Sequence, residues 1–417
     1  MKTKLQLLSF FALTAFFMQA QPVTVNLSLD PSYTNEVYYK LSTQTATTFP
    51  SSSWDIAFLR VSNFDLGVRV NDGDWGIEVY EVSTNPADYA TVDVSNESSW
   101  TQLYNDDTNW SNGAFMQTSL SGPLAFGFGN YNPGNNTVQG EVVFVLKYQD
   151  GTFRKFFIET YLGAYTFKYS TWTGTEWTAD TTETVSNSSN PNNRFNYYSL
   201  ENQTEVVAEP SATDWDFVFR RYSTFLDPPG QWYTVTGALH NPNVQVAQNE
   251  EMGGMPADPQ LTFSDDINTI GDDWKTFVGT GFSVDSNQAY YVKYSDDTIY
   301  RLYFTEFSGT SSGDLEFVLE DVSATLNVQN LENGASFGIY PNPSQDKIIN
   351  IVYDNELANN SSVELFDITG KRVKQIDLNS NVGFFNKQIN LTDLNSGVYL
   401  FKFSSGNFSE TKKIILD

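Results

Sequence analysis

Cysteine is absent from the 417 residues. Its absence excludes disulfides, thiolate metal sites, thiol nucleophiles and a lipid-bearing amino-terminal cysteine. Histidine occurs once, as His240. A zinc site built on histidines therefore fails on number. A serine triad would have to use His240 as its base, and no G-x-S-x-G elbow accompanies it. Positive charge is scarce: 23 Lys and Arg stand against 50 Asp and Glu, a formal net charge of −27. Such a chain repels phosphate backbones and anionic membrane surfaces, so nucleic acid is a poor partner. The plainer role of the acidity is to keep a secreted β protein soluble. Long alanine, leucine and glutamate runs are also missing. After the first residues, no stretch is long and apolar enough to span a bilayer.

What is present favours strands. Aromatic residues make up 15% of the chain, and Thr, Tyr, Phe and Val abound, as an all-β fold requires. Lys2 and Lys4 precede an apolar run from Leu5 to Phe17, and Ala20 is a suitable last residue before cleavage. Residues 1–20 therefore read as a secretory signal peptide, leaving no transmembrane span once it is removed.

The middle of the chain repeats itself. VYYKLS near residue 38 precedes SSSWDIAFLR at Ser51–Arg60, and NYYSLEN near residue 197 precedes ATDWDFVFRR at Ala212–Arg221. Further on, VLKYQDGTFRKFFIETY at Val145–Tyr161 matches YVKYSDDTIYRLYFTEF at Tyr291–Phe307. Period-two alternation would put Trp54, Ile56 and Phe58 on one face, and Trp215, Phe217 and Phe219 likewise. QDG and SDD read as turns of β-hairpins. Lys147, Tyr148 and Thr152 correspond to Lys293, Tyr294 and Thr298, and Trp100 is paired with Trp274. Two antiparallel β domains in tandem are expected at 21–170 and 190–322, with linkers at 171–189 and 323–337. The first copy carries an insertion rich in Gly, Asn and aromatics around Asn105–Asn136. Loops of this kind on a rigid sheet commonly hold binding residues.

Each copy resembles the HmuY family of secreted haem-binding proteins. The likeness lies in YYKL with WDIAFLR and FVLKYQDGTFRKFFIETY, and in YYSL with WDFVFRR and YYVKYSDDTIYRLYF. It implies a fold dominated by antiparallel sheets, with haem as the candidate cofactor. Family members hold iron between two histidines or two methionines, and this chain offers His240, Met252 and Met255. The plainer and favoured reading makes His240 a polar loop residue beside Asn241 and Pro242, and Gly253-Gly254 between the methionines an ordinary turn. Trp54 and Trp215 read as core, and Asp55 and Asp216 as structural acceptors.

The last segment, 338–417, reads as a compact Ig-like β-sandwich. Val363, Leu365 and Ile368 run into a Thr369-Gly370 turn, and Val373 and Ile376 run out. It is similar to the type A sorting domain of the type IX secretion system. The matching residues are Tyr340, Pro341, Asn342 and Pro343, then Gly370 and Lys371 in LFDITGKRV. Gly397, Val398 and Tyr399 follow in DLNSGVYLFKF, and Lys412 and Lys413 in KKIIL. The resemblance implies export by the type IX machinery, removal of this domain, and a secreted or outer-membrane-surface location.

The pairs Asp106-Asp107, Asp265-Asp266 and Asp272-Asp273 sit in turn sequences and read as solvated turn chemistry. No EF-hand spacing appears. The expected function is a non-catalytic surface binding protein for haem or a related ligand. The alternative is an adhesin or glycan-binding protein using Trp110, Tyr131, Trp232 and Tyr233.

Overall fold

The computed structural model describes residues 21–417 apart from 63–64, 74–75, 257, 324–325, 327–336, 356–359, 380, 382 and 406–407. The expected signal peptide and most of the expected linker at 323–337 lie outside the described residues. The chain is all-β and forms two compact units, Met1–Val322 and Ser323–Asp417. No helix among the described residues is long and apolar enough to cross a membrane.

The first unit contains two similar lobes, but the repeats do not divide as tandem beads. The strand Ile56–Leu59 of the first copy pairs with Phe195–Ser199, the YYSL strand of the second. The strand Asn35–Lys40, the first copy's YYKL strand, pairs with Phe217–Leu226 of the second. Lobe one is therefore continuous, from Ile56–Leu59 through Thr204–Val206. Lobe two joins the first three strands to those that follow Thr204–Val206, and Val23–Ser28 lies along Asp314–Asp321. The segment taken as a linker contains a true strand: Thr181–Ser186 closes the large sheet of lobe one by pairing with Ala164–Thr171. Its alternating threonines suit a sheet edge, and Val185 is fully buried.

Each lobe is a sandwich of a small sheet and a large one. The small sheets run in the order Thr204–Val206, Phe195–Ser199, Ile56–Leu59, Val68–Val70, and Thr45–Pro50, Asn35–Lys40, Phe217–Leu226, Gln231–His240. The large sheets are built on the expected hairpins, Val143–Lys147 with Phe153–Tyr161 and Gln288–Tyr294 with Ile299–Phe307. Asp150 and Asp296 fix the turns by accepting the N–H of Thr152 at 2.8 Å and of Thr298 at 3.0 Å. A bulge interrupts the register at Ile158/Thr160 and again at Phe304/Glu306, the same place in both copies.

Pleating gives each small sheet two buried faces. Ile56, Phe58 and Val70 enter the core of lobe one, and Phe217 and Phe219 that of lobe two. Ala57, Leu59, Phe195 and Tyr197 turn outward to meet Tyr38, Val218 and Leu239 in a third core between the lobes. Trp54 and Trp215 belong to this third core. They do not share a face with Ile56–Phe58 or Phe217–Phe219, because the chain turns just before the strand begins at Ile56 or Phe217. The two tryptophans nonetheless occupy equivalent places. Trp100 and Trp274 do not: Trp274 stacks on Phe304 at 3.8 Å inside its lobe, whereas Trp100 packs outside, edge-on to Phe153.

The second unit is a sandwich of two antiparallel sheets. One has the strands Phe337–Tyr340, Ile348–Asn355 and Gly383–Asn390, and the other Arg372–Asp377, Ser361–Asp367, Gly397–Ser405 and Phe408–Leu416. Val363 and Leu365 point into its core, but Ile368 is 80% exposed, since it lies past the strand end in the turn.

Candidate functional site

The repeated WD aspartates are structural. Asp55 accepts the Tyr148 hydroxyl and the Leu200 N–H, each at 2.7 Å. Asp216 accepts the Tyr294 hydroxyl, the Leu41 N–H at 2.8 Å and the Lys40 ammonium at 2.8 Å. In both copies the carboxylate ties a hairpin tyrosine to the end of the YY strand. Burial is the largest influence on Asp55 and raises its pKa, against the lowering effect of these two donors.

His240 has an equally plain assignment. Phe217 faces His240 across its strand pair, as Ile56 faces Val70 in the other lobe. The single histidine thus stands where the first copy uses valine. It is fully buried, with Nε2 2.8 Å from the Asp266 carbonyl and Nδ1 3.1 Å from that of Asn241. Burial lowers its pKa. Both ring nitrogens face backbone oxygens, so neither is open to an incoming iron as the chain is folded. Met252 is 90% exposed and Met255 partly buried, on the segment after Val244–Glu250. Haem ligation would require His240 to leave the core.

Of the aromatics considered for sugar binding, Trp110 is buried. It is packed edge-on to Phe195 and Trp215, and its Nε1 donates to the His240 carbonyl at 2.9 Å. Tyr131 lines an open apolar cleft of about 500 Å³ with Leu66, Phe126, Asn136, Val138, Tyr161 and Leu162. Trp232 and Tyr233 line a different depression of about 360 Å³, where the long Phe217–Leu226/Gln231–His240 hairpin of lobe two crosses lobe one.

This groove is the candidate site. Trp232 lies parallel to Tyr104 of lobe one, with ring centres 4.1 Å apart and planes 5° from parallel, and Phe225 meets its edge at 5.7 Å. Asp107 holds the hairpin in place by accepting from Thr224 Oγ1 and from Asn268 Nδ2, the latter at 3.1 Å. The remaining lining is mostly polar: Gln102, Gln149, Ser223, Thr234, Glu78 and Asp72, over Ile77 and Leu103. Burial raises the pKa of Asp72. Sequence reasoning had Trp232 and Tyr233 but missed Tyr104, whose partner lies in the other copy.

The paired acidic residues are spread among such structural tasks. Asp106 caps the N–H of Thr108 at 2.8 Å, and Asp273 accepts from Gln288 and Tyr290. Among the described residues, no group of three or more His, Asp or Glu is arranged to hold a metal ion.

In the second unit the motif residues act on the sandwich itself. Asn342 accepts the Ile415 N–H at 2.9 Å and donates to the Lys413 carbonyl at 2.8 Å, clamping the last strand. Asp367 accepts from Thr369 and Lys371 to shape the turn at Gly370, whose φ of +83° favours glycine. The Tyr399 hydroxyl donates to the Asn395 carbonyl at 2.9 Å, and Lys412 donates to that of Phe337 at 2.6 Å. Tyr340, Val398, Lys371 and Lys413 remain exposed.

An all-β unit followed by a separate antiparallel sandwich defines a two-unit β protein. The second unit has a known kind: residues 338–417 match the secretion system C-terminal sorting domain family. The tail thus marks a secreted or cell-surface protein that uses the type IX machinery. No curated protein matches the chain.

Proposed function

We propose that the protein is a non-catalytic, surface-displayed binding protein whose ligand is a neutral glycan, held in the groove between the lobes. The carrying observation is the Tyr233 ring, 43% exposed beside the Tyr104–Trp232 stack at 4.1 Å, on the edge of a depression lined by amide and hydroxyl side chains. Sugar rings offer C–H faces to aromatic rings and hydroxyls to amides and carboxylates, so one groove serves both. Asp72, Glu78 and the net charge of −27 select against uronic or sulfated sugars. The resemblance of both copies to HmuY proteins supports a binding role but does not supply a haem site, given the place of His240.

The test is native affinity electrophoresis of the full chain in gels cast with soluble neutral polysaccharides. Wild-type protein is expected to be retarded by at least one of them, and Trp232→Ala and Tyr104→Ala to migrate freely. Equal retardation of all three proteins, or a shifted Soret band on mixing wild type with haemin, would remove the proposal.

A further inference from the structure

The two lobes differ at one matched position in a way that points to a second ligand. Counted from the equivalent lysines Lys147 and Lys293, Tyr161 corresponds to Phe307, Gly163 to Gly309, and Val138 to Val284. Asn136 corresponds to Phe282 by the same count.

In lobe two this position is filled from within. The Phe282 ring lies edge-on to Phe307 at 4.9 Å and sits so close to Gly309 that a Cβ there would approach it to 3.1 Å. Tyr33 stacks on Phe307 from another side, at 6.2 Å. Phe307 is left 5% exposed.

In lobe one the corresponding place is the open cleft of about 500 Å³. Asn136 has no ring to insert, and its Oδ1 accepts the Tyr131 hydroxyl at 2.8 Å at the cleft wall. Val138 lies against Tyr161 in register, forming the floor. The rim leaves apolar surface in water: Phe126 is 40% and Leu162 61% exposed. Apolar surface gathered in a concave site of this size is characteristic of a small-molecule pocket. None of the described lining residues is cationic, so none of them would compensate an anion.

We infer that the lobe-one cleft binds a neutral, ring-bearing apolar small molecule, occupying the place that Phe282 fills in lobe two. The physical reason is shared by both lobes. Tyr161 on the cleft floor is as buried as Phe307, so the gain lies at the rim: covering Phe126 and Leu162 takes apolar surface out of water, which is favourable whether the cover is a side chain or a ligand. This site is separate from the glycan groove and does not depend on it.

The experiment is fluorescence titration of the full chain with the neutral probe N-phenyl-1-naphthylamine. Wild type is expected to take one equivalent, and Trp232→Ala the same. Asn136→Phe, which copies the lobe-two filling, should weaken binding at least tenfold. The backbone at Asn136 is left-handed, with φ +58°, and disfavours Phe. Leu162→Asp at the exposed rim therefore gives an independent loss, with the melting curve of each variant recorded. Phe282→Ala should add a second equivalent. The inference is overturned if wild type takes no probe, or if both cleft variants bind as wild type does. A Phe282→Ala protein that still takes one equivalent overturns the claim that Phe282 holds the matching place.

Discussion

The carboxylate of Asp55 accepts the backbone N–H of Leu200 at 2.7 Å, across 145 residues of chain. Asp216 does the same for Leu41 across 175 residues at 2.8 Å. These two bonds tie each WD segment to the YY strand that the other copy supplies. They explain why the aspartate recurs.

Loss of either carboxylate should therefore unlatch a lobe. Asp55→Ala removes the acceptor of the buried Tyr148 O–H and leaves the buried Leu200 N–H without its partner, and a buried group that loses its partner costs about 1–3 kcal/mol. Asp216→Ala takes the same acceptor from Tyr294 and Leu41 and also from the Lys40 ammonium, whose side chain is only 16% exposed, so its effect should be the larger of the two. Urea unfolding followed by tryptophan fluorescence measures both. An Asp55→Ala midpoint equal to wild type would contradict the latch.

Glu209 should make stability fall as pH rises. Its carboxyl is buried, accepts the Phe195 N–H at 2.7 Å and the Tyr197 hydroxyl at 3.1 Å, and burial pushes its pKa up to about 7. A carboxyl raised above its unfolded value favours folding at low pH. That contribution disappears as pH climbs from the ordinary carboxylate range through about 7. Glu209→Gln should remove this slope and be the more stable protein at pH 8, by a few kcal/mol. The check is the difference in unfolding free energy between the two proteins from pH 4 to 8.

His240→Val restores the residue that the first copy uses at this register. The change gives up the contact with the Asp266 carbonyl but removes a buried imidazole, so a net change within about 1 kcal/mol is expected. The histidine pKa is lowered by burial, so wild type loses stability as pH falls below the unfolded value of about 6.5, and the valine protein does not. Thermal melts at pH 5 and 7 distinguish them. A folded valine variant that melts in parallel with wild type at both pH values would count against the assignment.

Trp110 and Trp232 should behave oppositely. Truncating Trp110 to alanine opens a cavity in the core between the lobes and should cost about 3–5 kcal/mol. Trp232→Ala removes a half-buried ring on a hairpin end and should cost clearly less, while abolishing retention by glycan. Denaturation midpoints and affinity gels read the two effects separately.

A chain lacking residues 338–417 should remain inside the cell that makes it, while the full chain reaches the surface or medium. Immunoblots of cell and culture fractions test this. Equal export of the shortened chain would mean that the sorting module is dispensable.

The strand content, the two hairpins, the duplication and the terminal module follow from local pattern. Alternation, turn residues and the Asn342 and Asp367 motifs act within a few residues or a single small sheet, and such signals survive in a linear reading. The limits of the repeats were not legible. YYKL precedes WDIAFLR in the chain, and nearness in sequence suggested one domain, but hydrogen bonding paired each YY strand with the more distant WD strand. For the same reason, the sequence could count one histidine but not place it opposite Phe217. It could mark Trp232 but not bring Tyr104 to its face. Residue types and periods are written in one dimension and fixed the class of protein. Which lobe owns a strand, which tryptophan is sealed and which cleft stays open depended on distant segments competing for the same buried surface, and only the folded chain decided them.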